Sequence, residues 1–161
     1  GVVGGGMGQL ADRRGARGIA LAAEAKRADV AALGADRVLP RTPENLTAAL
    51  GDDKITVVAD IVGGPDWPKL IDILERGGRY TCSGAIAGPI VMLDLRTFYL
   101  RDLTFTGSTV ITAEIMPNLI GYIESGEIKP VLAATYPLEA LRDAQNAFIR
   151  KRHTGNIVVT P

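Results

Sequence analysis

The stretch that most limits the fold is Ile55-Thr56-Val57-Val58-Ala59-Asp60-Ile61, closed by Gly63-Gly64. It is β-branched and nearly all apolar, the pattern of a strand covered on both faces, as in parallel sheets flanked by helices. The segments around it fit that requirement. Ile19–Ala23 reads as a short buried strand, followed by a helix through Ala28, Val30, Ala31 and Leu33 that Gly34 stops. Val38-Leu39 is a brief strand ended by Pro40. Pro43 then suits the first turn of a helix over Glu44–Leu50, with Thr42 as its cap. Beyond the central strand, Asp66-Trp67-Pro68 opens a helix carrying Leu70, Ile71, Ile73 and Leu74 that runs to Gly77-Gly78. Strands over Tyr80–Cys82, Leu103–Ser108, Val131–Tyr136 and Ile157–Thr160 follow, with a helical turn around Phe98–Leu100 and helices over Ala113–Ser125 and Leu138–Arg150. Strand–helix alternation with glycine-bounded connections predicts a mostly parallel α/β sheet. Ligands of such sheets bind at the carboxyl ends of the strands, here near Glu24, Val62-Gly63, Ser83-Gly84 and Ser108-Thr109.

The chain opens Gly1-Val2-Val3-Gly4-Gly5-Gly6-Met7-Gly8, running into a helical pattern over Met7–Arg14. Glycines before a helix let the backbone approach an anion at the helix's positive end, so this stretch is expected to be a phosphate-cradling loop. Gly5, Gly6 and Gly8 weaken any helix that includes them by about 1 kcal/mol each relative to alanine.

Composition narrows the chemistry. The 161 residues fit one domain with a substantial core, and 18 basic side chains balance 18 acidic ones, which leaves no electrostatic case for a nucleic-acid or anionic-membrane partner. The single cysteine, Cys82, excludes an internal disulfide. With one histidine, His153, a zinc site or a Ser-His-Asp arrangement has little to draw on. His153 is expected on the surface before the last strand, Cys82 is expected to be a small buried residue, and Asp60 is expected to bond loop backbone. No apolar run reaches membrane-spanning length and no signal peptide is visible, so a cytoplasmic location is expected.

Five motifs in register resemble the medium-chain dehydrogenase/reductase superfamily, in its quinone oxidoreductase and zinc-type alcohol dehydrogenase branch. They are Gly1-Val2-Val3-Gly4 with Gln9-Leu10-Ala11; Gly15-Ala16-Arg17 with Leu33-Gly34-Ala35-Asp36; Val57–Gly64; Gly77-Gly78-Arg79-Tyr80; and Gly155-Asn156-Ile157-Val158. The resemblance implies a Rossmann-like doubly wound parallel sheet over 1–130 that lacks its first strand, and a segment over 131–161 that returns to a catalytic domain. It also implies hydride transfer between NADPH (NAD being possible) and a quinone, an activated alkene or a carbonyl/alcohol substrate.

The same resemblance assigns cofactor contacts. Gly1, Val2, Val3 and Gly4 fall at the pyrophosphate, Lys26 and Arg41 at the adenosine end, and Val62, Gly63, Ser83, Gly84, Ala85 and Ile86 around the nicotinamide and its ribose. Catalytic groups and any zinc would come from outside this segment, and the segment alone is expected to be inactive. The strand Leu103–Ser108 resembles a sheet edge that pairs two copies into a homodimer. Asn156 stands where the family has lysine. Two other readings stay open: a truncated Rossmann module that dimerises without binding cofactor, and a different Rossmann-like enzyme such as a methyltransferase, against which the closing helix and strand argue.

Overall fold

A computed structural model describes residues 2–161. They fall into two compact units, one gathering the chain up to Pro40 and from Ala113 to Pro161, the other Arg41–Thr112. Among the described residues every strand pairing is parallel, and the strands form three sheets.

In the first unit, α1 (Val2–Asp12) leads through Gly15 to β1 (Ile19–Ala22). A 3-10 turn over Glu24–Lys26 and α2 (Arg27–Ala32) then cross to β2 (Arg37–Pro40), which pairs with β1. The later part supplies α6 (Ile115–Glu124), β6 (Leu132–Pro137), α7 (Leu141–Ile149) and β7 (Asn156–Thr160), with β6 and β7 paired. The first helix differs from expectation. Gly4, Gly5, Gly6 and Gly8 lie inside α1 rather than in a loop before it.

Tertiary contacts override their low propensity. A Cβ on Gly5 would lie 3.0 Å from Leu33 Cδ1, and one on Gly8 would lie 3.5 Å from Leu33 O, so the missing side chains let α1 lie close against the end of α2. Gln9 fastens the helix further on. Its Nε2 donates to Lys129 O at 3.0 Å and its Oε1 accepts from Lys129 N at 2.7 Å. Arg13 pairs with Glu127 at 2.7 Å while its guanidinium lies 3.7 Å from the centre of the Tyr122 ring.

The second unit carries α3 (Leu46–Leu50), β3 (Ile55–Asp60), α4 (Trp67–Asp72), β4 (Leu74–Cys82), α5 (Leu95–Leu100) and β5 (Thr104–Gly107), in a sheet of order β3-β4-β5. Asn45, not Thr42, caps α3, its Oδ1 accepting from Ala48 N at 2.9 Å. The α4 helix stops at Asp72, short of the expected glycine pair, and Arg101 Nη1 donates to the carbonyls of Ile71 and Asp72 at its end. Leu74 already pairs with Ile55, and ladder pairing resumes at Val57 with Arg79. Gly77-Gly78 therefore sits in a bulge of β4: Gly77 takes φ +74° and donates to Arg101 O at 2.8 Å, while a Cβ on Gly78 would lie 2.7 Å from Glu75 O.

The core of this unit gathers Val58, Trp67, Ile71, Leu74, Tyr80 and Leu103. Trp67, Tyr80 and Phe105 meet edge to face with ring centres 5.4–5.9 Å apart. Along β3, Val58 and Asp60 are buried while Val57 and Ala59 are exposed. The strand that read as covered on both faces thus alternates, with one face on this core.

Candidate functional site

The second unit brings six of the expected site residues together at the carboxyl ends of β3 and β4. The anchor is Asp60, the last residue of β3, only 4% exposed. A buried carboxylate is tolerated when donors surround it, and three do. Val62 N donates to Oδ1 at 2.7 Å, Gly63 N to Oδ1 and Oδ2 at 3.1 and 3.2 Å, and the Tyr80 hydroxyl to Oδ2 at 2.8 Å. Burial, then the hydrogen bond to Asp60, pushes the Tyr80 phenol well above its ordinary value of 10.0, so it stays a proton donor throughout the working range. Asp60 is a loop anchor, as its position at the strand end suggested. The tyrosine that completes the pair carries no signal in the sequence that links it to Asp60.

The turn held by Asp60 is zipped to the loop that follows β4. Ser83 N donates to Asp60 O, Ala87 N to Val62 O and Gly64 N to Gly88 O, at 2.8–3.0 Å. Contact is close enough to require glycine. Gly63 takes φ +61°, and its Cβ would lie 2.7 Å from Gly88 O; a Cβ on Gly84 would lie 2.9 Å from Ile61 O. These glycines therefore serve loop-to-loop packing. Gly84 O also accepts the Cys82 thiol at 3.4 Å, which leaves that half-buried sulfur engaged rather than presented.

What faces outward is apolar. Ala85 lies half-buried in the turn closed by Gly88 N to Ala85 O, whereas Ile86 is 86% exposed, and Ile90, Met92, Val110 and Ile111 are exposed as well. A surface of this kind can flank a planar ring and exclude water from it. It carries no general acid or base. Asp60 has its donors inside, and among the described residues no group of three His, Cys, Asp or Glu side chains could hold a metal. The described residues do not fit a zinc ion.

Arg41, also in this unit, is exposed. The other expected contacts lie in the first unit. Gly1 falls outside the described residues; Val2, Val3 and Gly4 form the first turn of α1, with Val3 and Gly4 exposed. Lys26 is half-buried, and its Nζ donates to Lys151 O at 3.1 Å and His153 O at 3.0 Å. Two of its three protons thus fasten the loop before β7. His153 departs from its expected surface position: it is half-buried against Phe148, ring centres 5.8 Å apart, with Nδ1 buried and unpartnered.

Known proteins resemble this chain. The family model for zinc-binding dehydrogenases matches residues 33–159. The acryloyl-coenzyme A reductase of Sulfurisphaera tokodaii is 30% identical over 156 residues, covering 95% of this chain and 46% of that protein. The chloroplastic NADPH-dependent alkenal/one oxidoreductase of Arabidopsis thaliana is 30% identical over 135 residues, covering 82% of this chain and 30% of that protein. A Sinorhizobium meliloti protein solved as a proposed alcohol dehydrogenase superposes with a TM-score of 0.92 at 43% identity, over 100% of this chain and 46% of that one. The chain spans about half the length, or less, of the relatives it matches.

Proposed function

The chain belongs to the zinc-binding dehydrogenase family of the medium-chain dehydrogenase/reductase superfamily, and from that premise we propose that it is the cofactor-binding part of an NADPH-dependent reductase acting on activated alkenes. The observation that carries this reading is the pair of interlocked loops at the carboxyl ends of β3 and β4, anchored on Asp60 and presenting Ile86. That is where open α/β sheets bind dinucleotides. When bound, the nicotinamide supplies the hydride; this chain's part is to hold the ring, orient it and keep water away. The substrate class follows from two relatives whose names specify acryloyl-coenzyme A and alkenal/one substrates, both α,β-unsaturated carbonyl compounds. Quinones and simple carbonyls are the runners-up.

At the adenosine end, the exposed Arg41 would take the 2′-phosphate that distinguishes NADPH from NADH. Val2, Val3 and Gly4, at the N-terminus of α1, would meet the pyrophosphate. In the same reading 1–130 is the dinucleotide-binding domain and 131–161 the segment returning to a catalytic domain. The enzyme is a cytoplasmic homodimer paired through 103–108, where β5 has β4 as its partner on one edge. No helix among the described residues is long and apolar enough to cross a membrane.

A second reading, a module that dimerises without cofactor, draws on one observation: α1 has taken the glycines into a helix, and most of the Lys26 ammonium is already engaged. Turnover separates the two. The full-length reductase is expected to oxidise NADPH several-fold faster than NADH when given an enal or an acryloyl thioester, and Arg41→Ala is expected to narrow that preference. No NADPH consumption with any unsaturated carbonyl would contradict the proposed reaction, and consumption with quinones alone would replace the substrate class.

A further inference from the structure

We infer that Asp60 and Tyr80 are a positioning pair that sets the Val62-Gly63 turn against the nicotinamide, an inference that rests on the cofactor reading above. Neither side chain reaches the surface: Asp60 is 4% exposed and Tyr80 5%. Neither can touch substrate or cofactor, so their influence passes through the turn.

The geometry is specific to orientation. Two consecutive backbone N–H groups converge on one carboxylate, and the Tyr80 hydroxyl, 2.8 Å from Oδ2, fixes how that carboxylate is rotated. With both N–H groups turned inward, the carbonyl of Val62 meets Ala87 N and locks the next loop to the first. Tyr80 is itself held by Trp67 and Phe105 on its ring, and by Thr106, whose hydroxyl donates to Tyr80 O at 3.3 Å. A neutral serine or asparagine at the end of β3 could cap the turn with less desolvation. A buried charge with donors on both sides instead holds the turn in one setting, at the cost of taking an ion out of water.

Tyr80→Phe removes only the hydroxyl and keeps the ring contacts. Asp60→Asn keeps the volume but sets an amide nitrogen either against the two N–H groups or beside the tyrosine hydroxyl, which must then turn its proton away and accept instead. The test measures calorimetric affinity of the full-length protein for NADPH and for 2′,5′-ADP, the adenosine half of the cofactor, together with kcat and KM for the alkene. Asp60→Asn is expected to weaken NADPH binding about tenfold and Tyr80→Phe roughly threefold, with 2′,5′-ADP held to within about twofold and kcat falling more than KM changes.

Wild-type NADPH affinity and kcat in both variants would overturn the positioning role. So would an equal loss for the two ligands, which would mark a general structural contribution. Should Asp60→Asn fail to fold, Tyr80→Phe alone decides. A wild-type protein that binds neither ligand overturns the cofactor reading, and this inference with it.

Discussion

Gly155→Ala is expected to be the most damaging single methyl that can be added to the first unit, destabilising it by about 3 kcal/mol or more. Gly155 is buried at φ +103°, outside the region that L side chains occupy readily. Its added Cβ would press on Val131 O and lie 2.8 Å from Val131 C, backbone atoms that cannot swing aside, as well as 2.7 Å from the side-chain Cγ1 of the same residue. Val131 O accepts the hydrogen bond from Asn156 N at 2.8 Å, next to the Leu132–Asn156 pairing that opens the β6–β7 ladder. Relieving the clash therefore unpairs the two strands at their first contact. Chemical denaturation followed by circular dichroism reads the loss. Gly121→Ala is the control, because it adds a methyl to the exposed face of α6 with nothing within 4 Å, and it is expected to stabilise by up to about 1 kcal/mol. A Gly155→Ala chain as stable as the parent would show that the β6–β7 junction is not closed as described.

Gly63→Ala is expected to combine a stability loss of about 2–3 kcal/mol with at least a roughly tenfold weaker hold on NADPH. Its φ of +61° is left-handed, and its Cβ would lie 2.7 Å from Gly88 O and 3.2 Å from Ala85 Cβ. The turn must then either leave Asp60 or push the 83–88 loop away, and both movements disturb the surface assigned to the nicotinamide. Gly84→Ala attacks the same contact from the other side, at 2.9 Å from Ile61 O, and should act in the same direction. Calorimetric titration with NADPH beside a denaturation curve checks both parts of the expectation. Undiminished NADPH binding by a folded Gly63→Ala variant would remove the turn from the cofactor site.

Much of this arrangement could be read from the residues in order. Strand positions follow from β-branched runs and glycine boundaries, and Val62-Gly63 and Ser83-Gly84 follow from the rule that parallel sheets bind ligands at their carboxyl ends, whereas Ala85 and Ile86 come only with the family resemblance. Asp60 bonds loop backbone as its place at a strand end implied. Tyr80 was hidden because its link to Asp60 depends on register. Val58 pairs with Tyr80 and Asp60 with Cys82, so Tyr80 reaches Asp60 diagonally on the shared face, and composition carries no record of that offset.

Gly4, Gly5, Gly6 and Gly8 lie in a helix rather than in the expected loop because packing partners outweigh a propensity cost of about 1 kcal/mol per residue. Leu33 and Lys129, far along the chain, are those partners. Gly77-Gly78 shows the same ambiguity from the other side: a glycine pair stops a helix or forms a bulge, and Arg101 O decides for the bulge. Lys26 carries the charge expected of a phosphate ligand, yet spends most of it on two carbonyls more than a hundred residues away.

In the proposed reading, the loops at the ends of β3 and β4 hold the nicotinamide. Trp67, the sole tryptophan, contacts Tyr80, which holds Asp60 and through it the Val62-Gly63 turn. Its emission overlaps the absorption of dihydronicotinamide, so titrating NADPH while exciting Trp67 tests the claim directly. A bound nicotinamide at this turn quenches Trp67 and lights the cofactor's own emission in a saturable way, with a parallel rise in melting temperature. Linear, unsaturable quenching with no sensitised emission and no thermal shift, up to roughly millimolar NADPH, would contradict it.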